Sequence, residues 1–124
     1  MMMPEFKKIP ACLFLSLVFI SQLVLADTVT EQEVGALIES IKTSGCEFQR
    51  NGKTYNSVDA ADHLAMKFSR GSRYAKTAED FIKNLASKSS MSGKPYLINC
   101  AGKNSEPSGE WLSRQLSAMR NQQS

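Results

Sequence analysis

The sequence is short of the residues that build metal and redox centres. It has a single histidine, His63, and three cysteines in 124 residues. No two cysteines share a Cys-x-x-Cys spacing, so a thioredoxin-like redox pair is excluded. One histidine and distant cysteines make a poor zinc set, and no metal or other cofactor is expected. A large excess of one charge is also missing. The formal net charge is +3, too mild to imply a nucleic-acid partner. Gly93-Lys94 resembles the end of a phosphate-binding loop only in part: the upstream glycine is absent, and Pro95 stands where Ser or Thr is needed. A Ser-x-x-Lys acylating dyad fails as well, because Gly93 and Pro95 break any helix that would bring Ser90 to Lys94. There is no internal repeat and no long low-complexity segment.

Only one long apolar run is present, and it lies at the N-terminus. Lys7 and Lys8 precede an apolar stretch from Ala11 to Ala26. Val24 and Ala26 provide the small side chains a signal peptidase accepts, and the composition turns polar at Asp27. The run falls short of the ~20 apolar residues of a membrane span. Residues 1–26 are therefore expected to be a Sec-type signal peptide cleaved after Ala26, with no stable membrane span afterwards. Cys12 precedes the apolar core instead of following it, so it belongs to the discarded peptide and not to a lipoprotein site. Residues 27–124 are expected to form a single small α+β domain in the periplasm or the medium. Loss of Glu5, Lys7 and Lys8 leaves a net charge of +2.

Two cysteines remain, Cys46 and Cys100. In an oxidising compartment an even pair in a small domain reads as a disulfide, and only one intramolecular pairing exists.

Thr30-Glu31-Gln32-Glu33 has the form of a capping box. Val34, Leu37, Ile38 and Ile41 follow at helical spacing, and Gly45 provides a left-handed stop. This predicts a helix from about Glu31 to Thr43. Asn51-Gly52 lies between two short alternating segments and predicts a hairpin with a two-residue turn, Phe48 opposite Tyr55. Parity puts Cys46 and Arg50 on the same face. Ser57 is the expected cap of a second helix whose stripe is Ala61, Leu64, Ala65 and Phe68, ended by Gly71. Thr77-Ala78-Glu79-Asp80 opens a third helix, with Ala78, Phe81, Ile82 and Leu85 inward. Tyr96 to Cys100 reads as a strand pairing with the Cys46 strand. Gly102 to Pro107 reads as a polar turn, and Pro107 as the first turn of a last helix carrying Trp111, Leu112, Leu116 and Met119.

Two loops carry the candidate binding residues. Arg70-Gly71-Ser72-Arg73-Tyr74-Ala75-Lys76 is the densest basic stretch, and Tyr74 is interleaved in it. Arg70, Arg73, Tyr74 and Lys76 could receive an anionic group; a solvated linker is the plainer reading. Ser92 and Lys94 lie in the hydroxyl-rich loop Ser89 to Lys94, which reads either as an anion-binding nest or as a connector. His63 falls one turn after Asp59. It reads as a carboxylate-oriented base or as a surface histidine in a salt-bridge ladder, and no nucleophile stands near it in sequence.

The segments Ser44-Gly45-Cys46-Glu47-Phe48, Arg50-Asn51-Gly52, Ala60-Ala61-Asp62-His63-Leu64, Thr77 to Ile82, Ser87 to Tyr96, and the Trp111-Leu112 helix start carry a resemblance. In order and spacing they look like the YfeK-like family, small exported bacterial proteins of a domain of unknown function (5329). The resemblance covers nearly all of the chain after Ala26. It implies export and a single domain. It implies no reaction.

The combined expectation is four helices packed on a small antiparallel sheet, made of the hairpin and one further strand, with the Cys46–Cys100 disulfide. The leading functional reading is a non-enzymatic envelope protein that binds an anionic envelope component or a periplasmic protein. An inhibitor or immunity-type protein plugging an enzyme cleft is a second reading, and a small hydrolase using His63 a third.

Overall fold

A computed structural model describes residues 28–123; the expected signal peptide, its cleavage site and Cys12 lie outside the described residues. The first helix, α1, is described over 28–42. Thr30 thus lies within the helix and not ahead of it, which corrects the capping-box expectation. Its hydroxyl donates to the Lys76 carbonyl, and Glu33 holds Arg120 across the fold. Gly45 makes the left-handed stop, at φ 69°.

Strands β1 (Glu47–Arg50) and β2 (Lys53–Tyr55) form the hairpin. Asn51 and Gly52 adopt φ of 52° and 79°, the positive pair that matches a tight turn to strand twist. The register sets Phe48 against Tyr55, as parity requires. Helix α2 (Ser57–Gly71) is capped by Asn56, whose side chain accepts from the Asp59 N–H. Ser57 is inside the helix, and its hydroxyl donates to the Lys42 carbonyl, so the expected cap is displaced by one residue. The inward stripe is Ala60, Ala61 and Leu64, with Phe68 packed at its margin; Ala65 is exposed.

After a short turn (Ser72–Tyr74), Thr77 caps α3 (Ala78–Phe81) by accepting from the Asp80 N–H. The helix then widens into a π-turn over Ile82–Ala86. The Ser87 hydroxyl closes it on the Ile82 carbonyl. Phe81, Ile82, Leu85 and Ala86 are all buried.

Strand β3 (Leu97–Asn99) pairs antiparallel with β1, setting Glu47 against Asn99 and Phe48 against Ile98. The Cys46–Cys100 disulfide sits just beyond that pair. A fourth strand, β4 (Glu106–Pro107), was not expected; it pairs with Leu97 and Ile98. Pro107 is therefore an edge-strand residue, where a missing N–H costs no ladder bond. The last helix, α4, begins at Ser108 and runs to Gln123. The sheet order is β2-β1-β3-β4, all antiparallel.

Alternation sorts the sheet into two faces. Phe48, Ile98 and the half-buried Tyr55 face the helices, while Glu47, Gln49, Thr54 and Asn99 are exposed. The core lies between the inner face and the stripes of all four helices: Val34, Leu37 and Ile41, then Leu64, then Phe81 and Leu85, then Leu112 and Leu116. Arg120 on α4 ties the outside together, bonding Glu33 of α1 and Glu79 of α3 at 2.8–2.9 Å.

Candidate functional site

The site grows from the last residue of β1. Parity places Arg50 on the inner face after Phe48. Its guanidinium lies over the Tyr55 ring, 4.9 Å from the centroid, and donates to the Tyr55 hydroxyl at 3.0 Å. The other terminal nitrogen lies 2.8 Å from Nε2 and 3.0 Å from Nδ1 of His63. Helical spacing on α2 puts Ala60, His63, Leu64 and Lys67 on one side. His63 Nε2 lies 3.3 Å from the Tyr96 hydroxyl. Lys67 donates to that hydroxyl at 3.0 Å and to the Lys88 carbonyl at 3.1 Å. Arg50, Tyr55, His63, Tyr96 and Lys67 thus form one continuous polar chain.

These groups stand on a cavity of about 270 Å³ between the sheet and α2. Its mouth is formed by Arg50, Tyr55, Asp59 and His63, which are exposed or half-buried. Its floor is Phe48, Ala60, Leu64, Ala86, Tyr96 and Ser108, all buried. The π-turn and α4 meet there, with the Ser108 hydroxyl donating to the Ala86 carbonyl at 2.8 Å.

Within the polar chain the formal charges, Arg50 and Lys67, are both positive; Asp59 is the carboxylate on the cavity mouth. Among the described residues neither Arg50 nor Lys67 is ion-paired; the ion pairs are Arg114–Glu106 and those of Arg120. Burial holds the His63 imidazole below its ordinary 6.5, and the charges of Arg50 and Lys67 push it the same way. It is neutral at neutral pH and can accept from the guanidinium. Burial, then Arg50, also lowers Lys67. Burial raises the Tyr96 phenol, so it stays protonated. Both carboxylate readings of His63, as a base oriented by Asp59 and as a member of a salt-bridge ladder, are thereby corrected: it faces cations and phenols, and it is not ion-paired with Asp59 or Asp62. No group of three metal-ligating side chains occurs among the described residues.

The other candidate residues lie elsewhere. Arg70 is exposed at the end of α2. Arg73 lies over the ring of exposed Tyr74. The Tyr74 carbonyl accepts from Asn84, and the Lys76 carbonyl accepts from Thr30, so this segment is fastened to the π-turn and to α1. Ser92 and Lys94 belong to a loop folded on the hairpin turn, where the Ser92 hydroxyl donates to Asn51 at 2.6 Å. The N–H groups of Met91, Ser92, Gly93 and Lys94 all donate within that loop. Lys94 lines a shallow depression with Gln49, Asn51, Gly52, Pro95 and Leu97, which contains none of Arg70, Arg73, Tyr74 or Lys76. Of the seven residues, only His63 lines the cavity between the sheet and α2. Sequence reasoning missed Arg50, Tyr55, Lys67 and Tyr96 as site residues. The available signal was the parity that turns Arg50 inward beside Tyr55.

The fold and cavity define a small α+β protein with a disulfide-closed sheet and an apolar pocket whose rim carries Arg50 and Asp59. Residues 28–120 match the family of unknown function DUF5329, and the chain belongs to that family. It is similar to the uncharacterized protein YfeK of Salmonella typhimurium strain LT2, with 36% identity over 67 residues, covering 53% of this chain and 56% of the relative. The chain spans about half the length of the curated relative it matches. No solved structure matches. No helix among the described residues is long and apolar enough to cross a membrane.

Proposed function

We propose that this chain is an exported envelope protein that binds an anionic ligand without transforming it, and that the binding groups are Arg50, His63, Tyr55 and Tyr96. In this reading residues 1–26 direct export and are removed after Ala26, and residues 27–124 act as one domain. The observation that carries the proposal is the pair of half-buried cations, Arg50 and Lys67, held near each other without a carboxylate partner. Withdrawing such groups from water is costly unless an opposite charge offsets it. A bound anion supplies that charge. The one serine on the cavity floor is engaged by the Ala86 carbonyl, which favours holding over acyl chemistry.

Thermal unfolding against phosphate, sulfate, acetate and a hexuronate tests the reading. A ligand at 100 times its dissociation constant stabilises by about 2.7 kcal/mol. At least one anion should raise Tm with concentration, and Arg50→Gln should abolish the rise. If no small anion stabilises the wild-type chain, the proposal fails.

A further inference from the structure

We propose, building on the anion-binding reading, that the cavity takes an amphipathic monocarboxylate: one aromatic ring or a short acyl chain seated inward, with its carboxylate on the Arg50 guanidinium. Three observations point to this class.

The first is polarity against depth. The charged groups, Arg50 and Asp59, are on the rim, and the buried floor presents the hydrocarbon of Phe48, Ala60, Leu64 and Ala86, with the Tyr96 hydroxyl engaged by Lys67 and the Ser108 hydroxyl by the Ala86 carbonyl. A ligand that is charged throughout would leave that floor uncovered, and one without charge would leave the rim cation unmatched. The second is size. A cavity of about 150 Å³ lined by aliphatic side chains accepts benzene. The 270 Å³ here leaves room for a ring and a short acid arm. The third is the number and shape of the charges. Arg50 is the sole cation lining the cavity. Lys67 stands behind Tyr96, already donating to the Lys88 carbonyl and the Tyr96 hydroxyl. One planar guanidinium pairs with a carboxylate in a two-point fork and matches its single charge, whereas a phosphate dianion, though it fits the same fork, would keep one charge unmatched. Arg50 commits two contacts to Tyr55 and His63 and keeps the rest of its five N–H groups for the ligand. Tyr55 and Tyr96 hydroxyls can donate to the second oxygen.

The test is a titration of the purified full chain followed by NMR at pH 7.5. The probes are 3-phenylpropionate, its neutral counterpart 3-phenyl-1-propanol, phenylalanine and inorganic phosphate. The acid should bind at least tenfold more tightly than the alcohol, with shifts centred on Arg50, Leu64 and Tyr96. Arg50→Gln should bring acid and alcohol to equal affinity, and Arg50→Lys should fall between, since it keeps the charge and loses the fork. The acid-against-alcohol comparison is made on the wild-type chain and stands whatever the variants do. Equal binding of acid and alcohol overturns the inference. Tighter binding of phenylalanine overturns it in favour of a zwitterion using Asp59 on the rim. Phosphate shifting Arg50 when phenylpropionate does not overturns this ligand class but leaves the anion-binding reading. No response to any anion overturns both.

Discussion

Reducing the Cys46–Cys100 bond should lower thermal stability by a large and calculable amount. The two cysteines are 54 residues apart in sequence. In the chain-entropy description, cutting a loop of that length releases about 4 kcal/mol of unfolded-state freedom. The folded state loses little in return. Cys46 is buried among apolar side chains, where a thiol packs as a small hydrophobe, and the adjacent Glu47–Asn99 pairing holds the strands together without the sulfurs. For a unit of about a hundred residues, 4 kcal/mol corresponds to a fall in Tm of roughly 20 °C. The assay is circular dichroism melting of oxidised and reduced protein, with thiol titration to prove that reduction is complete. The double variant Cys46→Ala/Cys100→Ala should fall at least as far. A drop under about 5 °C with both thiols free would refute the reasoning, because the loop would then be ordered in the unfolded chain or the bond strained in the native one.

Arg120→Met removes the double bidentate clamp on Glu33 and Glu79. Glu79 is solvent-facing, Arg120 partly so and Glu33 mostly covered, so the cost should be roughly 1–2 kcal/mol, or about 5–10 °C; a Tm loss that persists in 1 M salt contradicts an electrostatic origin. Stability should also fall as pH drops through 6.5, because His63, facing Arg50, Lys67 and Tyr96, binds its proton less readily folded than unfolded. His63→Gln should flatten the denaturation midpoint between pH 7.5 and 5.5, and an unchanged slope would exclude His63 as its source. A second loss is expected from pH 4.5 down to about 2, where Glu79, with its pKa lowered to about 2 by the Arg120 hydrogen bond, and Glu33, lowered by the same partner, release the guanidinium.

Much of the fold was legible because its signals are local. Asn51-Gly52 specifies positive φ at two successive residues, and that alone sets the hairpin register. Thr77 and its acidic first turn start α3 as read. The caps at Thr30 and Ser57 were misplaced because a hydroxyl on a helix can equally donate to a distant carbonyl, as both do here. Strand β4 escaped notice since two residues ending in proline carry no alternation; the partner strand, not propensity, makes them a strand. The site escaped more completely. The basic loops looked richest because charge density is visible along a chain, whereas Arg50 stands apart from them and Lys67 only flanks the Arg70 to Lys76 stretch.

The sequence by itself determined the four helices, the hairpin, most of the inward faces and the single pairing open to Cys46 and Cys100, since capping, helical spacing and strand parity act between residues a few positions apart. Tertiary structure alone decided which cations meet and what they enclose. Arg50 reaches His63 across 13 positions, and His63 reaches Tyr96 across 33. Contacts at that range exist only after the sheet has closed on α2, and it is this closure that withdraws the groups from water and makes their shared charge consequential.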